Sequence, residues 1–306
     1  MAHSSKLVIY AALVGNALIA VTKFGAAFMT GSAAMMAEGI HSLVDTGNQG
    51  LLLHGLRRAK RPADERFPFG HGKEVYFWSF VVAMLIFGLG AVVSIYEGVH
   101  RVQHPEVVTD PMINYIVLAL AFCFEGAAWW LALREFRSHQ RGRSMREAIR
   151  ASKDPTTFVV LFEDTAALVG LLVAAVGLSL SQTLEMPVLD GVASIGIGCI
   201  LAVTAAVLAM RTKSLLIGEA ADPLLVADVR RRVEALDAVE AVNEVLTLHM
   251  GPHQVVLNIS VDMVDALPVG DVERAIESLT VEIRSAHPDI SRVFIEAEPR
   301  NTAEGV

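Results

Sequence analysis

The fold class this sequence predicts is an α-helical membrane protein: six transmembrane helices followed by a cytoplasmic α+β domain. Three observations predict it. Of the 306 residues, 53% are hydrophobic and 19% charged, where a soluble domain carries about 25% charged residues; mean hydropathy is +0.49. Six apolar runs have the length a bilayer core demands of a helix, about 20 residues. Charge is also unevenly divided. Residues 1–213 hold 18 Lys and Arg against 16 Asp and Glu, a net of +2, and residues 214–306 hold 7 against 17, a net of −10. The chain therefore divides near 213 into a lipid-soluble part, 1–213, and an acidic water-soluble part, 214–306. A segment of about 90 residues is enough for one small domain with its own core.

The same figures exclude other classes. A net charge of −8 leaves no basic footprint for nucleic acid. The two cysteines, Cys123 and Cys199, lie inside apolar runs, so they form neither a disulfide framework nor a thiolate zinc site.

The spans run over about 7–28, 33–56, 75–99, 112–133, 156–180 and 188–210. Gly31-Ser32 is a very tight link between the first two, and no signal-peptide cleavage pattern separates them. Loop charge sets the orientation. The link between spans 2 and 3 carries Arg57, Arg58, Lys60, Arg61, Arg66 and Lys73; that between spans 4 and 5 carries Arg134, Arg137, Arg141, Arg143, Arg146, Arg150 and Lys153; Arg211 and Lys213 follow span 6. The opposite links carry one basic residue, Arg101. Both termini and the acidic domain are thus expected in the cytoplasm. In that domain, Leu224 to Leu236 and Asp271 to Ala286 read as helices, and Ala241 to Met250, Gln254 to Val264 and Arg292 to Glu296 as strands. The order α-β-β-α-β fits three strands with helices on one face. No catalytic motif occurs there, and the plainest reading is a dimerisation module.

Ionisable side chains inside a span are costly and mark candidate sites. Span 2 carries Glu38, His41 and Asp45 at i, i+3 and i+7, one helical face, which Asn48 extends. Span 5 carries Glu163-Asp164, and at most one of two adjacent residues points at a shared centre. Imidazole nitrogen with carboxylate oxygen from two helices suits a first-row divalent ion, zinc among them. The alternative is a buried polar network that only holds helices together. His41 is followed by Ser42 and Leu43, so HExxH is absent, which argues against an intramembrane metalloprotease. Elsewhere, Lys23 reads as snorkelling to the interface, and Glu97 and His100 as interfacial. Glu125 reads as a proton relay or a packing contact, Asn16 as an interhelical contact, and His104 as solvated.

These residues resemble the cation diffusion facilitators over nearly the whole chain. Thr30-Gly31-Ser32 and Ala37-Glu38-Gly39-Ile40-His41-Ser42-Leu43-Val44-Asp45 are similar to that family's HxxxD helix, and Phe69-Gly70-His71-Gly72-Lys73-Glu74 to its entry into span 3. The resemblance implies a homodimeric secondary transporter that moves divalent metal out of the cytoplasm against inward proton flow. It implies a ferredoxin-like, metallochaperone-like tail, no prosthetic group and no covalent chemistry, hence no enzyme. Short loops and no targeting segment point of themselves to a bacterial inner membrane, with an organelle as the alternative. His41 and Asp45 match the span 2 ligands and Asp164 one of the span 5 pair; the other position is Val160, with Glu163 and Glu38 as the nearest replacements. Leu-Phe-Glu-Asp-Thr at 161–165 looks like a zinc-transporting subgroup. Zinc is therefore the expected cargo, with manganese, iron, cobalt and cadmium as alternatives. A non-transporting membrane sensor or assembly subunit is the competing reading, which Val160 favours. Some relatives bind a second metal at the link before span 3 through an Asp-His pair. Here Arg66 and Phe67 stand there, and His71-Gly72-Lys73 reads as the turn into span 3. In the tail, Ile295-Glu296-Ala297-Glu298-Pro299 and Ser260 stand where relatives carry ligands. His249, His253 and His287 read as solvated or as a weak regulatory site.

Overall fold

The computed structural model describes residues 2–108, 110–139, 147–149 and 152–299. Among the described residues six long helices come first: α1 (Ala2–Thr30), α2 (Ala33–Ala59), α3 (Glu74–Gln103), α4 (Pro111–His139), α5 (Pro155–Thr183) and α6 (Val188–Ile217). Four of these, α3 to α6, contain stretches long and apolar enough to cross a membrane. In α1 the apolar stretch among the described residues is Asn16–Thr30. In α2 the apolar face is interrupted by Glu38, His41, Asp45 and Asn48. Large apolar side chains such as Phe28, Phe87, Leu120, Phe124, Leu131 and Val203 stand exposed, which is costly in water and neutral against lipid. The basic link residues Arg141, Arg143, Arg146 and Arg150 lie outside the described residues.

Local chemistry explains the helix ends. Gly31 closes α1 with φ +69°, a left-handed conformation that glycine adopts without a Cβ clash. Ser32 accepts the Met35 N–H at 3.2 Å as the cap of α2. Asp190, from α6, finishes that cap: it accepts Ser32 Oγ at 2.6 Å, Ala33 N at 2.5 Å and Ala34 N at 3.4 Å. Arg101 is buried and donates to the Gly31 carbonyl and to Glu106. Arg101 therefore clamps the tight turn between α1 and α2. Asp154 caps α5, with Pro155 in its first turn. Within α3, residues Ile86–Ala91 form a π-turn. Gly98 and Gly198 then let α3 and α6 approach closely, since a Cβ on Gly98 would lie 2.7 Å from the Gly191 carbonyl and one on Gly198 would lie 2.9 Å from that of Ala91.

The chain forms two compact units, Met1–Arg57 with Val75–Lys213, and Arg58–Glu74 with Ser214–Val306. The link 58–74, which the boundary at 213 assigns by sequence to the first part, makes its contacts within the second unit. In that unit α7 (Pro223–Glu234) is capped by Asp222 and starts on Pro223. β1 (Val239–Gly251) pairs antiparallel with β2 (Gln254–Met263). α8 (Val269–Ala286) then crosses over to β3 (Ile290–Ala297), which pairs parallel with β2. Val255, Leu257, Ile259 and Val261 alternate onto one face of β2. They form a core with Val229 and Val233 of α7 and Leu279 and Ile283 of α8. Both helices thus cover one face of the sheet.

The link 58–74 folds onto the β1–β2 hairpin. A Cβ on Gly72 would lie 2.4 Å from both the Met250 carbonyl and Gln254 Oε1, Phe69 meets Phe294 edge-on at 6.5 Å, and Lys73 donates to the Leu216 carbonyl at 3.4 Å. Asp64 accepts the Arg66 and Phe67 N–H groups, and its other oxygen lies 3.5 Å from His71 Nε2. An aspartate and a histidine thus do meet in this link, seven residues apart, where the sequence drew attention to Arg66 and Phe67.

Candidate functional site

Helical periodicity places the site. Glu38, His41 and Asn48 are all buried on α2, and Asp45 is nearly so. One turn apart, His41 Nε2 and Asp45 Oδ2 approach to 3.1 Å. His41 Nδ1 and Asp45 Oδ1 are buried with no hydrogen-bond partner among the described residues. Unpaired polar atoms away from water are unfavourable unless something binds them. Beside this pair is a cleft of about 160 Å³ whose lining includes Asp45, Asp164, Glu125, Ser42, Asn16 and Gln49. Val160 lines it too, one turn before Asp164.

Asp45 and Asp164, from α2 and α5, therefore meet at one cleft, and His41 joins it through Asp45. Glu163 turns elsewhere: it is buried and accepts from Asn48 Nδ2 at 2.8 Å. Glu38 is bonded to Lys23 at 2.9 Å. Among the described residues no three His, Cys, Asp or Glu side chains form a ready metal-ligand cluster. What exists is an imidazole–carboxylate pair with a second carboxylate lining the same cleft, groups whose chemistry suits a dication or protons.

Lys23 departs from the sequence expectation. It does not snorkel; it is fully buried and donates to Glu38, Ser42 and Glu125. The physical reason is depth. Seven residues of α1 follow it, about 10 Å of helix, more than its side chain spans. Glu125 is correspondingly an ion-pair partner at 2.8 Å. Gln49 escaped the sequence reading because its amide carries no charge, although its place one turn beyond Asp45 is a usable signal. Among the tail histidines, His249 differs from the solvated reading. His249 is buried, on the same face as Val255. His287 Nε2 lies 2.9 Å from Asp228, and His253 is exposed near Asp289.

The family model of the cation efflux transmembrane domain matches residues 9–217. The chain belongs to the cation efflux, or cation diffusion facilitator, family. Among this family's curated members, the human mitochondrial proton-coupled zinc antiporter SLC30A9 is 34% identical over 83% of this chain and 45% of its own length. Metal tolerance protein C4 of Arabidopsis thaliana is 34% identical over 72% of this chain and 48% of its own length. The cation-efflux pump FieF of Escherichia coli is 25% identical over 95% of this chain and 94% of its own. The chain spans about half the length of the first two. Membership of this family, with four helices fit to cross a bilayer and a small C-terminal sheet domain, makes the chain a multi-pass membrane protein.

Proposed function

We propose that this chain exports a divalent metal, zinc above all, from the cytoplasm in exchange for protons. The observation that carries the reading is the buried His41–Asp45 pair, with orphaned atoms on both residues, beside a cleft that Asp45 and Asp164 both line. Binding a dication requires neutral imidazole and ionised carboxylates, so metal entry releases protons and protonation releases metal. His41 supplies a nitrogen and Asp45 and Asp164 supply oxygens, a donor set suited to zinc. Glu163 is the candidate fourth ligand once it leaves Asn48, and Glu38 the alternative once it leaves Lys23. All six long helices cross the membrane in this reading, the tail is ferredoxin-like and holds a homodimer in the cytoplasm, and alternating access rocks helices around the fixed site. The name of the human relative supports zinc and protons. A bacterial inner membrane fits the likeness to the Escherichia coli pump.

The test is zinc flux into proteoliposomes under a pH gradient. Asp45→Ala and Asp164→Ala are each expected to abolish gradient-driven flux while the protein stays monodisperse. Unchanged flux in both variants would end this reading of the site, and a wild-type protein that moves no zinc would favour the membrane sensor, for which Val160 in the usual ligand position is the supporting observation.

A further inference from the structure

Behind the cleft wall lies a second polar cluster that this mechanism leaves unused. The Lys23 ammonium donates to Glu38 Oε2 at 2.9 Å, Ser42 Oγ at 2.9 Å and Glu125 Oε1 at 2.8 Å. All three donors of an ammonium are thereby satisfied. Two carboxylates and a hydroxyl converging at these distances from α2 and α4 are what a small cation binds; here the cation is tethered to α1. Oxygen capacity is also left over. Glu38 is fully buried and Glu125 half-buried, and neither Glu38 Oε1 nor Glu125 Oε2 has a hydrogen-bond partner among the described residues. Gly170 of α5 makes the room for Glu38, since a Cβ there would lie 2.4 Å from Oε1. Ser42 and Glu125 are shared with the cleft that Asp45 and Asp164 line.

Charge balance gives the lysine its role. Without Lys23, Glu38 and Glu125 would stand beside Asp45 and Asp164 with no cation between them. Oxygen-only sites take hard ions such as manganese and magnesium, whereas an imidazole nitrogen favours zinc. We propose that Lys23 is a specificity-determining residue: a tethered cation that fills an all-oxygen site beside the exchange site and so confines the cleft to one divalent ion at its His41 end. It is a positioning residue, acting through Glu38 and Glu125, and the proposal rests on the exchange reading above.

The experiment is equilibrium binding to the full chain in detergent, with Mn²⁺ alone followed by its paramagnetic resonance signal and Zn²⁺ alone followed by calorimetry. The variants are Lys23→Met and Lys23→Gln; the glutamine keeps hydrogen bonds without charge, and either variant that stays monodisperse suffices. Expected is an Mn²⁺ affinity about tenfold or more above wild type, a change of the size metal-site surroundings commonly produce. Zinc affinity should stay near its wild-type value, and the manganese gain should vanish again in Lys23→Met/Glu125→Gln. Equal Mn²⁺ affinity in wild type and variant overturns the proposal. So does a proportionate loss of both metals in a monodisperse variant, which is the mark of a lysine that only holds helices together. Zinc binding by wild type that Asp45→Ala leaves intact would count against the exchange reading instead, and the manganese comparison would still decide the role of Lys23.

Discussion

Asp164 and Glu163 are neighbours in the chain and enter different surroundings, because successive helical residues are turned about 100° apart. Asp164 lines the cleft; Glu163 bonds Asn48. Val160 lies one helical turn before Asp164 and lines the same cleft, so an imidazole there would join His41, Asp45 and Asp164. Val160→His is expected to tighten zinc by about tenfold or more, on the scale by which single groups around a metal alter its affinity. Calorimetric titration in detergent checks it; unchanged affinity would show that this position does not reach the bound ion. His41, Asp45 and Asp164 stand out in the sequence as candidates because ionisable residues are conspicuous in an apolar run. Their partners do not. Nothing in the string of residues says that Lys23 meets Glu125, 102 positions away, because that contact depends on which helices pack together.

At the scale of elements, α7 and α8 are held by a polar latch as well as by their shared apolar core. Asp228 accepts from Arg232 at 2.7 Å and lies 2.9 Å from His287 Nε2, and Arg232 also reaches Glu282. The guanidinium of Arg232 first, then His287, holds the Asp228 carboxyl well below the usual aspartate range. The stability this contributes is complete above the unfolded value of about 4 and is lost as pH falls below it toward the depressed folded value. Hydrogen exchange in α7 and α8 of the full chain is therefore expected to accelerate as pH drops below about 4 after correction for intrinsic rates, and Asp228→Asn is expected to remove that dependence. A pH profile identical in wild type and variant would assign the acid sensitivity to other groups. The tail elements lie close to where periodicity puts them, with helices starting on Pro223 and at Val269, β1 and β3 a residue or two longer at their ends and β2 one residue shorter. The tight turn between α1 and α2 was also legible, but its clamp was not: Asp190 and Arg101 come from elements far along the chain.

For the whole molecule, exchange of metal against protons makes a thermodynamic demand. Each proton exchanged contributes 1.36 kcal/mol per pH unit, about a tenfold concentration ratio. The steady-state zinc ratio across proteoliposomes is expected to rise about tenfold per pH unit for each proton moved, beyond what charge balance consumes, and to collapse when a protonophore dissipates the gradient. A zinc ratio indifferent to the gradient would leave a uniporter. By itself, the sequence determined that the chain has a lipid-soluble part and an acidic segment, that α2 and α5 carry ionisable residues inside apolar runs, and which elements build the tail. Those features come from periodicity, hydropathy and local charge, which act over a few neighbouring residues. Only the tertiary structure decided that Lys23 is sealed inside with two glutamates, that Glu163 turns from the cleft, and that the link 58–74 packs on the β1–β2 hairpin. These are pairings between distant segments, fixed by which buried charge can find a partner once helices and sheet have packed.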